Sequence, residues 1–484
     1  PWGLSGLMAK ATHESDPEYS RHMQWAWAGT HYTYNTACHL GGFEPVYMDP
    51  TLPMENPHWQ SKLFPQVGPM FRNGVGDEHE NYLILHANTG AGVRPSELGC
   101  VPLWFARGAP IAGSFAGSYK ERHQLLTSRV IPALSWNEGQ PWKEGQFGCR
   151  ADVRMGSFSA LPRQDCFRVG YVLKGWGHGR YGTPKDLVSW PPAGGEAGFP
   201  VRWERRALYV KDDDPAGMNY LLLRDTVRGG KPTLWQMWTL SEKIGAPEQV
   251  RELEKFLSDK PGKKAVPAHR IAGDRFTAVG QFGVDLEYYI AAPRDTERWT
   301  MRWGHRYTDY SVTGDDYRDL LQLRLPGDGE YFVAMVPRFR DESAPAFETL
   351  ADGAVIKLSG KFGTDYCFLP GRAAEVRAQD ASFRGEAGSV QDRPGALVLC
   401  TGAAGAASYG AWGISADRAT SLRVEKERLT VTLGEAPGED VAVALRTEGR
   451  WRLDEPPDGA VFAAARAGGE LSFPAGVREL QLAR

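Results

Sequence analysis

Several common catalytic and metal-binding motifs are missing from this sequence of 484 residues. Its six cysteines lie far apart and none forms a Cys-x-x-Cys pair, which excludes zinc ribbons and thioredoxin-like redox chemistry. There is no G-x-S-x-G nucleophile motif and no H-E-x-x-H zinc motif, so neither of those hydrolase classes is indicated. The even number of cysteines permits disulfides, and buried free thiols are the alternative.

Long apolar runs and a strong net charge are absent as well. No apolar stretch approaches the roughly 18 residues that a membrane-spanning helix needs, which predicts a soluble protein. The formal net charge of −3 argues against steering of the whole molecule toward nucleic acid or an anionic membrane. An acidic sugar polymer would therefore have to be held by a local cluster of Arg, Lys and His.

Aromatic and apolar residues are plentiful. A hydrophobic fraction of 42% with 16 Trp, 18 Tyr and 20 Phe is ample for buried cores. The length predicts about two to four domains. The sequence starts at Pro1 with neither an initiator Met nor a signal segment, so we expect the natural protein to continue upstream of it.

Residues 1–60 are predicted to form a helical segment followed by an aromatic loop. Asp16 is typical of a helix N-cap, Pro17 of a first helical position and Gly29 of a C-terminal stop. Three apolar residues recur every four positions and predict one buried face: Tyr19, Met23 and Trp27. One short helix cannot form a domain alone, so this segment is interpreted as the end of a larger helical array.

Residues 61–350 are predicted to form a large antiparallel β-sandwich. Leu103-Trp104-Phe105 has the pattern of a strand, Arg107-Gly108-Ala109-Pro110 of a turn, and Ile111 begins the return strand. Later apolar runs are separated by turn residues, which is typical of a meander. One surface helix is predicted over residues 248–259, because Val250, Leu253 and Leu257 would share a face.

A domain boundary is predicted near residues 340–360, where the sequence is polar and rich in turn residues. Residues 351–484 contain short, evenly spaced strand patterns, which predict a small C-terminal β-sandwich. Few titratable groups cluster there, so it is assigned a structural role. The predicted fold class is mostly β, with antiparallel β-sandwich domains preceded by a short α-helical segment.

Seven stretches are informative when taken together: VPLWFARGAPIA, YKERHQLLTSRV, RRALYVK, NYLLLRDTV, LWQMWTL, DYCFLPG and FRGEAGSVQDRPGALVLCTG. They resemble strands of the heparinase II/III-like family of polysaccharide lyases. Together the resemblance spans roughly residues 15–450. It implies the C-terminal β-sandwich region of such a lyase, with only the end of the α/α toroid that precedes it. It also implies β-elimination on a uronic-acid polymer as the reaction.

Such a reaction needs a cation or amide to neutralise the uronate carboxylate, a base for the C5 proton and an acid for the leaving oxygen. The first candidate site is the loop that holds His31, Tyr34 and Asn35, with His31 or Tyr34 as base or acid and Asn35 as a binding residue. The alternative is a packed aromatic loop that joins two domains. The family's own upstream catalytic motifs have no match in this chain.

The second candidate site combines Arg94 and Glu97 with His123. The resemblance implies a first loop with two His and an Asp, but Arg94 and Glu97 stand there, and His123 is the one retained zinc-ligand type. Arg94 is predicted to grip a carboxylate through two hydrogen bonds, for which its guanidinium geometry is suited. An Arg–Glu surface pair is the alternative. No cofactor is therefore expected, and a divalent metal such as zinc is the lesser alternative.

The third candidate site is the glycine-rich loop 176–182. Its alternating glycines leave four side chains exposed that suit sugar stacking and carboxylate contact: Trp176, His178, Arg180 and Tyr181. The alternative is a hairpin whose aromatic residues fill the edge of the sandwich. This loop is predicted to bind substrate rather than to catalyse.

The sequence thus predicts a secreted or periplasmic polysaccharide lyase that acts on an acidic polysaccharide. A non-catalytic carbohydrate-binding portion of a longer lyase-like protein and a glycoside hydrolase are the alternatives. The expected partners are the polysaccharide, an upstream α/α toroid domain or a second copy of the chain, with no nucleic acid and no membrane.

Overall fold

A computed structural model describes residues 3–29, 48–88, 97–114, 127–132, 147–177, 199–245, 247–253, 266–304 and 317–484. Two helices begin the chain, α1 (Gly3–Thr12) and α2 (Pro17–Ala28). Strands follow in four antiparallel sheets, which confirms the predicted fold class. Within the described residues no helix is both long and apolar enough to cross a membrane.

The strands of sheets I and II lie between residues 62 and 339. Sheet I contains β1 (Lys62–Phe64), β2 (Gly68–Asn73), β3 (Asn81–Ile84), β4 (Leu103–Ala106), β5 (Ala109–Gly113), β6 (Val130–Pro132), β11 (Thr233–Thr239), β13 (Pro247–Leu253), β14 (Val266–Ile271), β17 (Arg298–Gly304) and β18 (Tyr317–Leu325). Sheet II contains β7 (Phe147–Ala160), β8 (Gln164–Gly177), β9 (Val201–Val210), β10 (Tyr220–Arg228), β12 (Ser241–Ile244), β15 (Arg275–Gly280), β16 (Val284–Ala292) and β19 (Gly329–Phe339).

Sheets III and IV belong to the C-terminal part. Sheet III contains β20 (Ala346–Leu350), β21 (Val355–Gly360), β22 (Gly363–Phe368), β25 (Gly388–Arg393), β26 (Ala396–Thr401), β29 (Thr420–Val424), β30 (Arg428–Leu433), β32 (Arg452–Leu453) and β35 (Glu479–Ala483). Sheet IV contains β23 (Ala374–Ala378), β24 (Ala381–Gly385), β27 (Gly405–Tyr409), β28 (Trp412–Ala416), β31 (Val441–Arg446), β33 (Val461–Ala465) and β34 (Gly468–Phe473).

The four sheets stack as layers with a hydrophobic core between each neighbouring pair. In β10, Leu221 and Leu223 join the core between sheets I and II, whereas Tyr220 and Leu222 join the core between sheets II and III. Successive side chains of a strand point to opposite faces, so a strand buried on both faces has a continuous apolar sequence. Sheets III and IV enclose the third core.

A buried polar cluster fixes sheet II against sheet III. The Arg393 guanidinium donates to both carboxylate oxygens of Asp365, at 3.1 and 2.6 Å, and the Tyr220 hydroxyl donates to the same carboxylate at 2.8 Å. Burial raises the pKa of Tyr220 well above its ordinary value, so the phenol stays a donor. The two sandwiches therefore meet through directional bonds as well as through apolar packing.

Helix α2 has the predicted ends and a different buried face. The Asp16 carboxylate accepts the amide of Tyr19 at 3.1 Å, and the Gly29 amide donates to the carbonyl of Trp25. Trp27 is buried as predicted, but Tyr19 and Met23 are half-buried, and Ser20 and Gln24 share the buried face with Trp27. The hydroxyl of Ser20 donates to a carbonyl of α1 at 2.6 Å, so a small polar residue serves the close helix contact better than a large apolar one.

Two predictions about local structure have opposite outcomes. The hairpin of β4 and β5 is confirmed, but its turn is shorter than predicted: Arg107 and Gly108, which both have positive φ, form it, and the return strand begins at Ala109 rather than at Ile111. The helix predicted over 248–259 is wrong for residues 248–253, which lie in β13 and pair with β14; residues 254–259 lie outside the described residues. Pairing with β14 satisfies the backbone hydrogen-bonding groups of β13, and this stabilisation outweighs the preference of the segment for a helix.

Candidate functional site

A polar cavity of about 410 Å³ lies beside the first strands of sheet I. The loop before β1, the end of β2 with the turn that follows it, the β7–β8 turn and the loop after β9 form its wall. Its lining residues are Asn56, His58, Trp59, Gln60, Arg72, Asn73, Gly74, Val75, Gly76, Asp77, Pro162, Lys211 and Pro215. We call it the Arg72 cavity.

The loop that carries His58 is held by side-chain amides. The Asn56 amide nitrogen donates to the Val75 carbonyl at 2.7 Å, and its oxygen accepts the His58 amide at 2.9 Å. The Gln60 side chain donates to the His58 carbonyl at 3.0 Å. His58 itself has φ +46°, a backbone conformation that few non-glycine residues adopt. These bonds hold the exposed imidazole at the rim of the cavity.

Arg72 projects from β2 between two aromatic rings. Its guanidinium carbon lies 5.2 Å from the ring centroid of Trp59 and 4.9 Å from that of Tyr82. Burial raises the pKa of Tyr82, and the positive charge of Arg72 acts in the opposite direction. In the part of the chain that the structure describes, no carboxylate lies within ion-pair distance of Arg72. Its charge is thus available to an anionic ligand in the cavity.

Lys211 is the second cation of the cavity, and an acid already neutralises it. Its ammonium donates to one oxygen of Asp165 at 2.7 Å, and the Ser61 hydroxyl donates to the other at 2.5 Å. All three side chains are buried. Burial raises the pKa of Asp165, while Lys211 and Ser61 act to lower it. This cluster supports the wall of the cavity rather than offering a free charge.

One acidic side chain also lines the cavity. Asp77 lies in the turn after β2, where its carboxylate accepts the amide of His79 at 2.7 Å and lies 3.6 Å from the His79 ring. The cavity therefore combines a guanidinium, an imidazole, amides and an indole with one carboxylate. This set can hydrogen-bond sugar hydroxyls and bind a carboxylate at Arg72.

The helical segment contacts the cavity through an aromatic pair. The rings of Trp25 in α2 and Trp59 meet edge to face with centroids 6.0 Å apart. A Cβ atom at Gly76, whose φ is +83°, would lie 2.5 Å from the Asn56 amide nitrogen and 2.9 Å from the Trp25 ring. Only glycine lets this turn approach both, so Gly76 fixes the distance between α2 and sheet I.

Apart from Glu97 and the backbone of Trp176, the residues of the three predicted sites lie outside the described residues. The residues outside are His31, Tyr34, Asn35, Arg94, His123, His178, Arg180 and Tyr181. The backbone of Trp176 belongs to β8, and the structure does not describe its side chain. Their roles stay predictions. Sequence reasoning missed the Arg72 cavity, although the cluster Asn56-Pro57-His58-Trp59-Gln60 before β1 has the composition of a sugar site.

The neighbourhood of the Arg94 loop is described at its two ends. Glu97 is buried, its carboxylate lies 3.7 Å from the Nδ1 atom of His86, and the Cys100 thiol lies 3.8 Å from the same atom. Across the described ranges no group of three or more His, Cys, Asp or Glu side chains could hold a metal ion. Arg94 and His123, beside which the family resemblance implies a zinc site, lie outside the described residues, so the expectation about a metal stays a prediction.

A buried ion pair contacts the chain at Gly99. Arg205 donates from two nitrogens to the two oxygens of Asp225, each at 2.7 Å, and the Trp203 indole donates to the same carboxylate at 2.7 Å. Another nitrogen of Arg205 donates to the carbonyl of Gly99. This arrangement fixes the chain at that point. It has a structural role, because its groups bind one another.

Comparisons with known proteins found similarity in fold alone. No protein-family model and no curated protein matches the sequence. Heparan sulfate lyase HepC from Pedobacter heparinus is similar with a TM-score of 0.46 and 12% identity, over 76% of this chain and 48% of that one. The heparinase III BT4657 gene product has a TM-score of 0.40 and 11% identity, and the match covers 83% of this chain and 47% of that one. A chondroitin AC lyase mutant from Streptomyces coelicolor A3 has a TM-score of 0.38 and 15% identity, and the match covers 86% of this chain and 48% of that one. The chain spans about half the length of each of these proteins.

Proposed function

We propose that this chain belongs to a secreted or periplasmic polysaccharide lyase that cleaves a uronic-acid-containing polysaccharide by β-elimination. One observation carries the proposal. Arg72, stacked between Trp59 and Tyr82 and without a carboxylate partner among the described residues, faces a polar cavity of about 410 Å³.

The chemistry of β-elimination explains why such an arginine matters. A base takes the proton from C5 of the uronate, the C4–O bond breaks, and the electron pair forms a double bond between C4 and C5. The departing oxygen receives a proton. The C5 proton is weakly acidic, and negative charge builds up on the adjacent carboxylate, so a guanidinium placed there stabilises the transition state. Arg72 supplies that charge, and Trp59 supplies an apolar surface for a sugar ring.

The proton transfers need a base and an acid near the bound uronate. His58 is the imidazole that lines the cavity among the described residues, and we propose it as one of the two groups. His31 or Tyr34 is proposed as the other, with Asn35 and Arg94 assisting the carboxylate and His123 shaping the site. Trp176, His178, Arg180 and Tyr181 are proposed to bind further sugar residues.

An assay for the unsaturated product tests the proposal. The chain is incubated with alginate, heparan sulfate and chondroitin sulfate, and the ultraviolet absorbance of the new double bond is followed. We expect product from at least one polymer, and we expect Arg72→Ala to abolish it. Arg384→Ala is the matched control, because Arg384 is exposed on sheet IV and away from the Arg72 cavity. Folded protein that yields no double bond on any uronate polymer would contradict the proposal.

A second candidate function is acidic-glycan binding without turnover. The observation that favours it is the absence of a tyrosine among the described residues that line the Arg72 cavity. Elimination commonly uses Tyr as base or acid, and His58 is the imidazole among the described lining residues that could take either role. Tight binding of a uronate polymer with no product identifies this function. Products that gain reducing ends but no double bond identify a glycoside hydrolase instead.

A further inference from the structure

A second cavity, of about 550 Å³, adjoins the Arg72 cavity and is walled partly by sheet III. We propose that it is an additional subsite, occupied by further sugar residues of the same acidic polysaccharide. This inference rests on the proposed function, because the ligand is the polymer bound at Arg72. It assigns a binding role to the C-terminal sandwich.

The two cavities share part of their walls. Gln60, Pro162 and Lys211 line both of them. From these residues the second cavity continues along Lys62 and the β7–β8 hairpin, and it reaches Arg418 and Arg478 of the C-terminal sandwich. A polymer that leaves the Arg72 cavity past Gln60 therefore enters a groove that the protein already forms.

Hydrogen bonds fix the two walls of this groove against each other. The Ser159 hydroxyl of β7 donates to the Gly402 carbonyl at 2.8 Å, and Arg478 donates to the Ala160 carbonyl at 2.8 Å. A Cβ atom at Gly402 would lie 2.4 Å from the Cys166 sulfur, so the backbone after β26 packs directly on sheet II. The groove is thus built from rigid strand ends of both sandwiches, and binding needs little reorganisation.

Charge inside the groove favours an anionic chain at one end. Lys62 is exposed, its ammonium lies 5.8 Å from the Phe64 ring, and no carboxylate of the described residues pairs with it. By contrast Arg418 pairs with Asp417 at 3.0 Å, and the Glu479 carboxylate accepts from the Thr432 hydroxyl at 3.1 Å. Lys62 lies next to Ser61 and two residues from Gln60. It is the cation that a polymer passing Gln60 meets first.

Glu435 also lines the groove, so its far end is not uniformly basic. A polymer with a charge on every residue would meet repulsion there. A polymer that alternates charged and uncharged residues meets less of this repulsion, so we expect the groove to favour it over a polyuronate.

Binding of oligosaccharides of increasing length to the whole chain tests the inference. The probes are chondroitin oligosaccharides from the disaccharide to the dodecasaccharide, and isothermal titration calorimetry gives each Kd. We expect Kd to fall with length up to the point where both cavities are filled. We expect Lys62→Glu to weaken the longest probe by about three- to tenfold and to leave the disaccharide unchanged. Lys426→Glu is the matched control, because Lys426 is exposed in sheet III's β29–β30 turn and lines neither cavity.

A steric variant gives an independent measurement. Ala404 is exposed and lines the second cavity, so Ala404→Trp fills space there without changing charge. We expect it to remove the gain in affinity between short and long probes. If Arg72→Ala weakens every length while Lys62→Glu and Ala404→Trp change none, the second subsite is refuted and the proposed function stands. If no acidic oligosaccharide or polysaccharide binds the folded chain, both are refuted.

Discussion

The guanidinium of Arg72 lies over the indole ring of Trp59, 5.2 Å from its centroid. The two residues come from different elements, β2 and the loop before β1, and the ring of Tyr82 covers the guanidinium as well. A cation held between two rings keeps its charge, since aromatic faces attract it without neutralising it. The two rings therefore orient the Arg72 side chain before a ligand binds. Binding of a carboxylate then costs little side-chain entropy at Arg72.

Replacing Arg72 should affect carboxylate recognition specifically. We expect Arg72→Gln to weaken binding of a uronate oligosaccharide by about 10- to 100-fold, which corresponds to losing a hydrogen bond to a charged group. Arg72→Lys should recover part of the loss, because it restores the charge but not the flat, two-pronged donor.

Carboxyl-reduced oligosaccharide separates this effect from general damage. We expect it to bind the wild-type chain about as weakly as the native sugar binds Arg72→Gln, and the variant should not weaken it further. Such non-additivity is the mark of a direct contact. A variant that weakens both sugars equally would show that Arg72 acts through the fold instead.

Trp59 is predicted to couple the helical segment to the cavity. Trp59→Ala removes the edge-to-face contact with Trp25 and one face of the Arg72 sandwich. We expect a loss of about 1–2 kcal/mol in the free energy of unfolding together with weaker sugar binding. Trp59→Phe should retain most of the stability because it keeps an aromatic ring at the contact. Chemical denaturation and calorimetry measure the two effects, and Trp412→Phe on sheet IV provides the comparison.

The buried pair of Lys211 and Asp165 is predicted to be strongly coupled. Each single change, Asp165→Asn or Lys211→Met, leaves a buried charge without its partner and should cost about 3–5 kcal/mol. The double variant should cost much less than the sum of the two, since no unpaired charge remains. Thermal unfolding of the four proteins measures this, and simple additivity would contradict the pairing.

The described cysteines are predicted to be inert thiols in the native protein. Cys100, Cys166, Cys367 and Cys400 are buried, and burial raises the pKa of Cys400 to about 12. At pH 8 such a thiol is about 10⁻⁴ ionised, and the thiolate is the reactive form.

We therefore expect a Cys38→Ser/Cys149→Ser variant to show no reaction with a disulfide reagent while folded and four reactive thiols after denaturation. The thiolate fraction rises as pH approaches 12, so labelling should begin only in strongly alkaline solution or on unfolding. Rapid labelling of the folded variant at pH 8 would contradict this.

Local sequence was sufficient to predict the elements whose ends are determined by contacts between residues close together in the chain. Asp16 and Gly29 define the ends of α2, and the Arg107–Gly108 turn defines the hairpin of β4 and β5, because caps and tight turns depend on contacts a few residues apart. The continuous apolar run of β10 indicated a strand.

The same local reasoning failed where a distant partner decides the outcome. Residues 248–253 have a helical pattern, yet they pair with β14 as the edge strand β13. The buried face of α2 uses Ser20 and Gln24 because α1 and the carbonyl of Asp49 lie against them. Neither neighbour can be identified from spacing within the segment itself.

Composition and alternation in the sequence by themselves determined a mostly β chain with antiparallel sandwiches and a helical start, because strand periodicity and turn chemistry are local properties. Only the tertiary structure decided that the sheets stack four deep, and that Trp59, Arg72, Pro162 and Lys211 line one cavity. These residues are separated by up to about 150 positions, and their proximity follows from sheet pairing and core packing. Those are long-range interactions, which no short stretch of sequence encodes.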